Sequence, residues 1–135
     1  MEFVEAPPFT RRLPEYLSED GYKDLQARLG ANPELGDLMP GMGGFRKVRW
    51  ADARRGKGRR GGLRIIYYHF PSDHQIWLMT LYNKDEASDL TAHQKKALKV
   101  ALETELAARA AKRRARPHEL RDKRWGTSGE ERYLR

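Results

Sequence analysis

Alternating hydrophobic and polar positions in the middle of the chain predict a β-sheet. Residues 45–51 and 63–70 are rich in β-branched and aromatic side chains, which is typical of two neighbouring strands. Residues 75–82 form the most apolar run and predict a central strand, and residues 71–74 predict the hairpin turn that leads into it. A short first strand is expected at residues 3–5, just before two prolines that cannot donate to a sheet ladder.

Helical patterns flank this strand-rich region on both sides. A short helix is predicted at residues 9–16, and Ser18 is a good N-cap for a second helix that Gly30 would end. After the strands, Thr91 and Gln94 form a capping-box pattern at the start of a third helix. The patterns therefore indicate both helices and a sheet, without establishing how they are arranged.

The end of the third helix is expected at Pro117, because the residue before a proline disfavours helical geometry. The remaining residues, 118–135, are strongly charged and carry few side chains to bury. We expect them to form a loosely ordered tail.

The first strand of the central pair places cations on one face of the sheet. Alternation puts Lys47 and Arg49 on one side and Val48 and Trp50 on the other, so that the apolar pair faces the core. Antiparallel pairing with the next strand could bring Arg64 beside Arg49. The sequence therefore predicts a cluster of three cations on a rigid surface, for which a polyanion is the expected ligand.

The loop between these strands adds further positive charge. Its residues Lys57, Arg59 and Arg60 would form a rim that contacts the backbone of a nucleic acid. Its Gly-Lys-Gly run lacks the GxxxxGK[ST] spacing of a phosphate loop, which argues against a nucleoside triphosphatase.

Composition narrows the possible partners. The 135 residues carry a formal net charge of +8, which points to nucleic acid, an acidic protein or an anionic membrane. No apolar run approaches the ~20 residues of a membrane span, so we expect no membrane partner. The absence of cysteine excludes a disulfide framework and fits a cytoplasmic location. The four histidines lack the spacing of a zinc site, and no metal or cofactor is assigned.

Three ordered segments carry a resemblance to a known family: GMGGFRKVRWAD, GKGRRGGLRIIYY and IWLMTLYNKDEASDLTAHQKKAL. They resemble the HigB branch of the RelE/ParE superfamily, the toxins of bacterial type II toxin-antitoxin pairs. The resemblance covers residues 3–106. It predicts a toxin domain at residues 1–106, followed by a basic C-terminal extension at 107–135. It also implies a RelE-like α+β fold: a curved antiparallel sheet, with two N-terminal helices and a C-terminal helix packed on it.

The function implied by this resemblance is ribosome-dependent cleavage of mRNA. Its implied partners are the ribosome, the message and a cognate antitoxin, expected to be a helix-turn-helix DNA-binding protein. Two alternatives remain open: a basic module that binds ribosomes or RNA without cutting, and a ParE-like inhibitor of gyrase. The predicted cation cluster argues against the gyrase inhibitor.

The resemblance also assigns catalytic residues by position. Lys47, Arg49 and Arg64 match basic positions on the strands of RelE-type enzymes, and Lys84 matches a lysine in the following turn of HigB-like relatives. The RelE pattern has a further arginine and a later tyrosine. This chain has Asp85 and Leu90 near those two positions.

A tyrosine from elsewhere is therefore expected to supply the missing stacking ring. The candidates are Tyr67, Tyr68 and Tyr82, of which Tyr68 and Tyr82 are assigned to RNA binding. Which of the three serves is left open by the sequence.

The chemistry expected of such a site needs no metal, because the 2′-hydroxyl of RNA can attack the adjacent phosphate. Arg49 and Arg64 are expected to clamp that phosphate with their guanidinium groups. Neighbouring cations disfavour the protonated form of Lys47, which makes Lys47 the candidate general base.

Overall fold

The computed structural model describes residues 1–51 and 62–123, apart from the side chains of residues 116–123. In the described part, five strands and three α-helices follow one another in the order β1, α1, α2, β2, β3, β4, β5, α3. The strands are β1 (Glu2–Glu5), β2 (Asp37–Leu38), β3 (Arg46–Trp50), β4 (Leu63–Phe70) and β5 (Gln75–Asn83). The helices are α1 (Pro7–Tyr16), α2 (Glu19–Ala31) and α3 (Ala92–Lys123).

The strands form one open sheet in the order β1-β5-β4-β3-β2. All neighbouring strands are antiparallel except β1, which pairs with β5 in parallel. The pairing of β4 with β5 shifts register between Ile66 and Tyr67, and a bulge of this kind bends a sheet. The predicted α+β class is confirmed, although the sequence patterns indicated neither β2 nor the parallel edge.

One face of the sheet is covered by α1 and α2. Phe9 and Tyr16 from α1 and Leu25 and Leu29 from α2 are buried. They pack against strand residues that alternate along β3 and β4 and, on β5, change phase at the register shift, namely Val48, Trp50, Leu63, Ile65, Tyr67, Ile76, Leu78 and Leu81. Burial of each such side chain contributes about 1.5–3 kcal/mol. Because the core occupies one face of β3 and β4, the side chains of Lys47, Arg49 and Arg64 lie on the opposite face.

The helix starts agree with the capping patterns in the sequence. The Ser18 side chain accepts a hydrogen bond of 3.0 Å from the backbone N–H of Gly21. At α3, the Thr91 N–H donates to Gln94 Oε1 at 2.8 Å, and the Gln94 N–H donates to Thr91 Oγ1 at 3.1 Å. These reciprocal bonds satisfy donors that a helix terminus leaves unpaired.

The predicted end of α3 at Pro117 is wrong, because the helix continues to Lys123. A proline inside a helix removes one backbone hydrogen bond. Here it is surrounded by Ala, Arg, Glu, Leu and Lys, which are strong helix formers. Local propensity on both sides therefore carries the helix through the proline.

The chain divides into two compact units, Met1–Lys95 and Lys96–Arg135. The first contains the whole sheet, α1, α2 and the first turn of α3. In the second, the described residues belong to α3. The predicted division after residue 106 and the predicted packing of α3 on the sheet stay predictions. Within the described ranges, no helix has the length and apolar character needed to cross a membrane.

Candidate functional site

Arg49 and Arg64 lie directly opposite each other on the antiparallel strands β3 and β4. Lys47 lies two residues before Arg49 and therefore points to the same face of β3. The predicted meeting of these three cations is confirmed by the register. Like charges placed directly opposite each other in a sheet are destabilising, so this arrangement is unfavourable unless an anion approaches it.

The three cations line an open groove of about 160 Å³ in the first unit. One wall is formed by the segment around β2, including Leu38, Met39 and Met42. The charged side chains that line the groove are Asp37, Lys47, Arg49, Arg64, Asp89 and Lys95. Four cations and two carboxylates thus share one concave surface, which gives the groove a net positive charge suited to a phosphate group.

The wall beside Lys47 is held by a close backbone approach at Gly36. The Gly36 N–H donates to the Tyr67 hydroxyl at 2.9 Å, and the Tyr67 hydroxyl donates to the Pro33 carbonyl at 2.7 Å. Arg46 donates to the Gly36 carbonyl at 2.7 Å. A Cβ at Gly36 would lie 2.9 Å from the backbone of Lys47. Glycine is therefore required for β2 to lie this close to β3.

Tyr67 consequently has a structural role in the free protein. Its side chain is fully buried, and burial raises the pKa of its hydroxyl. Its two hydrogen bonds tie β4 to the segment that precedes β2. Tyr67 was one of three tyrosines expected from the sequence to supply a stacking ring. In the structure its ring belongs to the hydrophobic core.

Asp89 is a member of the groove that sequence reasoning missed. Its Oδ2 lies 2.9 Å from Lys95 Nζ, and its Oδ1 lies 3.4 Å from Lys47 Nζ. The hydrogen bond from Lys95 is the main influence that lowers the pKa of the Asp89 carboxyl, and the N–H of Leu90 and the charge of Lys47 add to it. The carboxylate is therefore ionised at neutral pH and bridges two ammonium groups.

The bridge by Asp89 changes the surroundings of Lys47. From the sequence, Lys47 was expected to face only the two arginines. In the structure its Nζ also lies 3.4 Å from a carboxylate oxygen, so it has an anionic partner that the sequence did not indicate. The general-base role of Lys47 stays a prediction.

Tyr82 lies opposite Arg64 on the next strand, β5. Its side chain is 5% exposed, and its hydroxyl has no hydrogen-bond partner within the described residues. Burial raises the pKa of Tyr82, the charge of Asp89 raises it further, and the charge of Arg64 lowers it. The ring lies beside the arginine pair, but stacking on a base would require it to become exposed.

Tyr68 is half-buried and forms part of an aromatic cluster. Its ring centroid lies 5.4 Å from that of Phe45 and 4.7 Å from that of Phe70. A Cβ at Gly44 would lie 2.9 Å from the Tyr68 ring. Contacts with these neighbours fix the ring in the free protein, while its partial exposure leaves some surface for a ligand.

Lys84 lies in the turn after β5 and is exposed. Its backbone N–H donates to the Gly62 carbonyl at 2.8 Å, but its side chain is not among the groove-lining groups. The other predicted RNA contacts, Lys57, Arg59 and Arg60, lie outside the described residues.

The turn that carries Lys84 is anchored by Glu86. The Tyr16 hydroxyl donates to Glu86 Oε1, and the Asn83 N–H donates to the same oxygen at 3.1 Å. Arg12 completes the cluster with a hydrogen bond of 2.9 Å to the Tyr16 hydroxyl. These contacts join α1 to the end of β5, the strand that carries Tyr82.

No other catalytic constellation competes with the groove in the part of the chain that the structure describes. There, no three His, Cys, Asp or Glu side chains are grouped so as to hold a metal ion. His69 is half-buried, and burial lowers the pKa of its imidazole. It does not line the groove.

Comparisons with known proteins give the following results. No family model matches the chain. Among solved structures, the chain is similar to a double-arginine mutant of the Escherichia coli toxin RelE in the free state, with 12% sequence identity and a TM-score of 0.47. That alignment covers 74% of this chain and 94% of the other. A crystal structure of the isolated E. coli RelE toxin gives the same identity and TM-score and is covered to 97%.

Proposed function

We propose that this protein is the toxin of a type II toxin-antitoxin pair and that it cleaves mRNA on the ribosome. The observation that carries the proposal is the direct pairing of Arg49 with Arg64, with Lys47 on the same face, in one open groove. Two adjacent guanidinium groups match the oxygens of a phosphate and offset its charge. The resemblance of residues 3–106 to HigB-like toxins supports mRNA as the substrate.

The cleavage uses the chemistry of the RNA itself. The 2′-oxygen forms a bond to the adjacent phosphorus, and the bond from phosphorus to the 5′-oxygen breaks. The proton of the 2′-hydroxyl leaves to solvent, and the 5′-oxygen gains a proton. The products are a 2′,3′-cyclic phosphate and a free 5′-hydroxyl. Arg49 and Arg64 stabilise the extra negative charge that the phosphoryl group carries in the transition state.

Lys47 supplies the proton to the 5′-oxygen in this proposal. Its ammonium group has an ion-pair partner in the free protein, since Asp89 Oδ1 lies 3.4 Å from Lys47 Nζ. A positioned general acid contributes roughly 10²–10⁴-fold to a rate. This role replaces that of general base, which the sequence alone favoured.

Residues around the groove extend the contact with RNA. Lys84, Tyr68 and the three loop cations Lys57, Arg59 and Arg60 are proposed to bind the message or ribosomal RNA. Phosphate contacts from these side chains hold the message without reading its sequence. The buried ring of Tyr82 can bind RNA only if it becomes exposed in the complex.

The proposed antitoxin covers the groove. A positively charged concave surface steers an acidic or helix-forming segment toward it and binds it by charge complementarity. Such a segment would occupy the surface that a phosphate needs. The antitoxin itself is expected to contain a helix-turn-helix domain that binds DNA.

The proposal is tested by adding the purified protein to translating ribosomes and mapping the 5′ ends of the message. We expect new ends in phase with codons, and we expect them to disappear with Arg64→Ala but not with Lys23→Met, an exposed lysine on α2. Slowed translation of an intact message would instead identify a binding module. DNA damage without new RNA ends would identify a gyrase inhibitor.

A further inference from the structure

The groove contains two pairs of cations in different surroundings. Arg49 and Arg64 are direct neighbours on the adjacent strands β3 and β4. Lys47 and Lys95 are instead bridged by the carboxylate of Asp89. One carboxylate oxygen lies near each ammonium group, as two oxygens of a phosphate would. The members of the two pairs that lie on β3, Lys47 and Arg49, are two residues apart, or about 6.7 Å along the strand.

We propose that Lys47 and Lys95 form a second phosphate subsite and that the Asp89 carboxylate occupies it in the free protein. The ligand is the RNA backbone phosphate next to the one held by Arg49 and Arg64. This inference rests on the proposed function for the identity of the ligand. It assigns Lys95, which neither the strand pattern nor the family resemblance indicated, to substrate binding.

The exposure of the bridge allows the exchange. The Asp89 side chain is 42% exposed, and those of Lys95 and Lys47 are 38% and 29% exposed. Ion pairs that remain in contact with water contribute little stability, so an arriving phosphate can displace the carboxylate. Asp89 also lies just before the first turn of α3, where the helix dipole favours negative charge. The same dipole favours a phosphate in that position.

Displacement of Asp89 also links binding to the proposed chemistry. A phosphate that replaces the carboxylate gives Lys47 a new anionic partner, because it brings its own negative charge. The cation that donates the proton therefore faces an anion in the free and the bound states. Asp89 acts in this arrangement as a temporary partner of two substrate-binding lysines.

Short deoxynucleotides provide a direct test, because they lack the 2′-hydroxyl and cannot be cut by the proposed reaction. The probes are a thymidine dinucleotide, with one phosphate, and a thymidine trinucleotide, with two. Affinities are measured at low salt by chemical-shift titration for the full chain and for Lys95→Met, Asp89→Asn and the control Lys23→Met. Urea midpoints confirm that each variant is folded.

We expect the trinucleotide to bind the unaltered protein more tightly than the dinucleotide, with a salt slope steeper by about 0.7. Lys95→Met should weaken trinucleotide binding roughly three- to tenfold and leave the dinucleotide unchanged. Asp89→Asn should strengthen trinucleotide binding by a similar factor, because the competing carboxylate is gone.

Several results would overturn the subsite: equal affinities for both probes, no binding of either, or trinucleotide binding by Lys95→Met that equals that of Lys23→Met. Weaker binding by Asp89→Asn would overturn it as well, since it would show that the carboxylate positions the lysines. None of these readouts requires the ribosome or cleavage. If the nucleotide affinities follow the expected pattern but no new message ends form on ribosomes, the proposed function alone is refuted. If new message ends form but the nucleotide affinities contradict the expected pattern, the subsite alone is refuted.

Discussion

Arg49 and Arg64 are direct cross-strand neighbours, and both side chains line the same groove. Two like charges at directly opposite positions destabilise a sheet. The size of the effect is similar to the stabilisation by a cross-strand pair of opposite charges, roughly 0.2–1 kcal/mol. A bound anion would relieve this repulsion between the two guanidinium groups. The arrangement is therefore the physical basis of the proposal that this face binds a backbone phosphate.

Cleavage should respond far more strongly than stability when one of these arginines is removed. Arg64→Ala should reduce single-turnover cleavage about 10²–10³-fold, since one charge-stabilising donor is lost. The free energy of unfolding should change by less than about 1 kcal/mol, because relief of the repulsion from Arg49 offsets the loss of contacts such as the 3.5 Å hydrogen bond from Arg64 to the Leu63 carbonyl. Urea denaturation measures the second effect. If cleavage and stability fell together, Arg64 would be a structural residue.

Lys47 is expected to matter for its proton as well as its charge. Lys47→Met should abolish detectable cleavage while ribosome binding persists. Lys47→Arg keeps the charge, but guanidinium does not release a proton near neutral pH, so we expect a loss of roughly 10²-fold or more. Single-turnover rates on ribosomes provide the comparison. Full activity of Lys47→Arg would show that the charge alone suffices.

Two glycines offer a matched test of the groove wall. Gly36→Ala would place a methyl group 2.9 Å from the Lys47 backbone and should cost about 1–3 kcal/mol of unfolding free energy. Gly30, inside α2, has its nearest neighbouring atoms at 3.9 and 4.0 Å. Gly30→Ala should stabilise the protein by about 0.5–1 kcal/mol. Urea midpoints that moved in the same direction for both would contradict this account of the wall.

Two buried tyrosines should differ when each loses its hydroxyl group. Tyr67→Phe removes hydrogen bonds to Pro33 and Gly36 and should lower the free energy of unfolding by about 1–3 kcal/mol. The Tyr82 hydroxyl has no partner within the described ranges, so Tyr82→Phe should be neutral or slightly stabilising. Thermal or urea unfolding decides between them, and equal losses for the two variants would show that Tyr82 has a partner.

Much of the cation cluster was predictable because strand alternation is a local property. Once residues 46–50 form a strand, Lys47 and Arg49 must share a face, and Val48 and Trp50 must face the core. The pairing of Arg49 with Arg64 required only that the next strand run antiparallel. Local pattern and nearest-neighbour pairing were sufficient for these features.

The other features of the site depend on contacts between distant parts of the chain. Asp89 follows Lys47 by 42 residues and reaches it only because the segment before α3 returns to the groove. No periodicity in the sequence encodes that contact. From the sequence alone, Lys95 is an ordinary lysine in the first turn of a helix. The parallel pairing of β1 with β5 likewise joins the two ends of the first unit. The contact between Asp89 and Lys47 supports the proposal that Lys47 acts as a proton donor.

The most direct measurement of the central claim is the chemistry of the message ends made on translating ribosomes. The account predicts a 2′,3′-cyclic phosphate on the upstream fragment and a free 5′-hydroxyl on the downstream fragment. Both should be lost when Arg49 and Arg64 are replaced by alanine together. Fragments with a 5′-phosphate, or cleavage that persists in the double variant, would contradict the claim that the arginine pair holds the phosphate under attack by its neighbouring sugar.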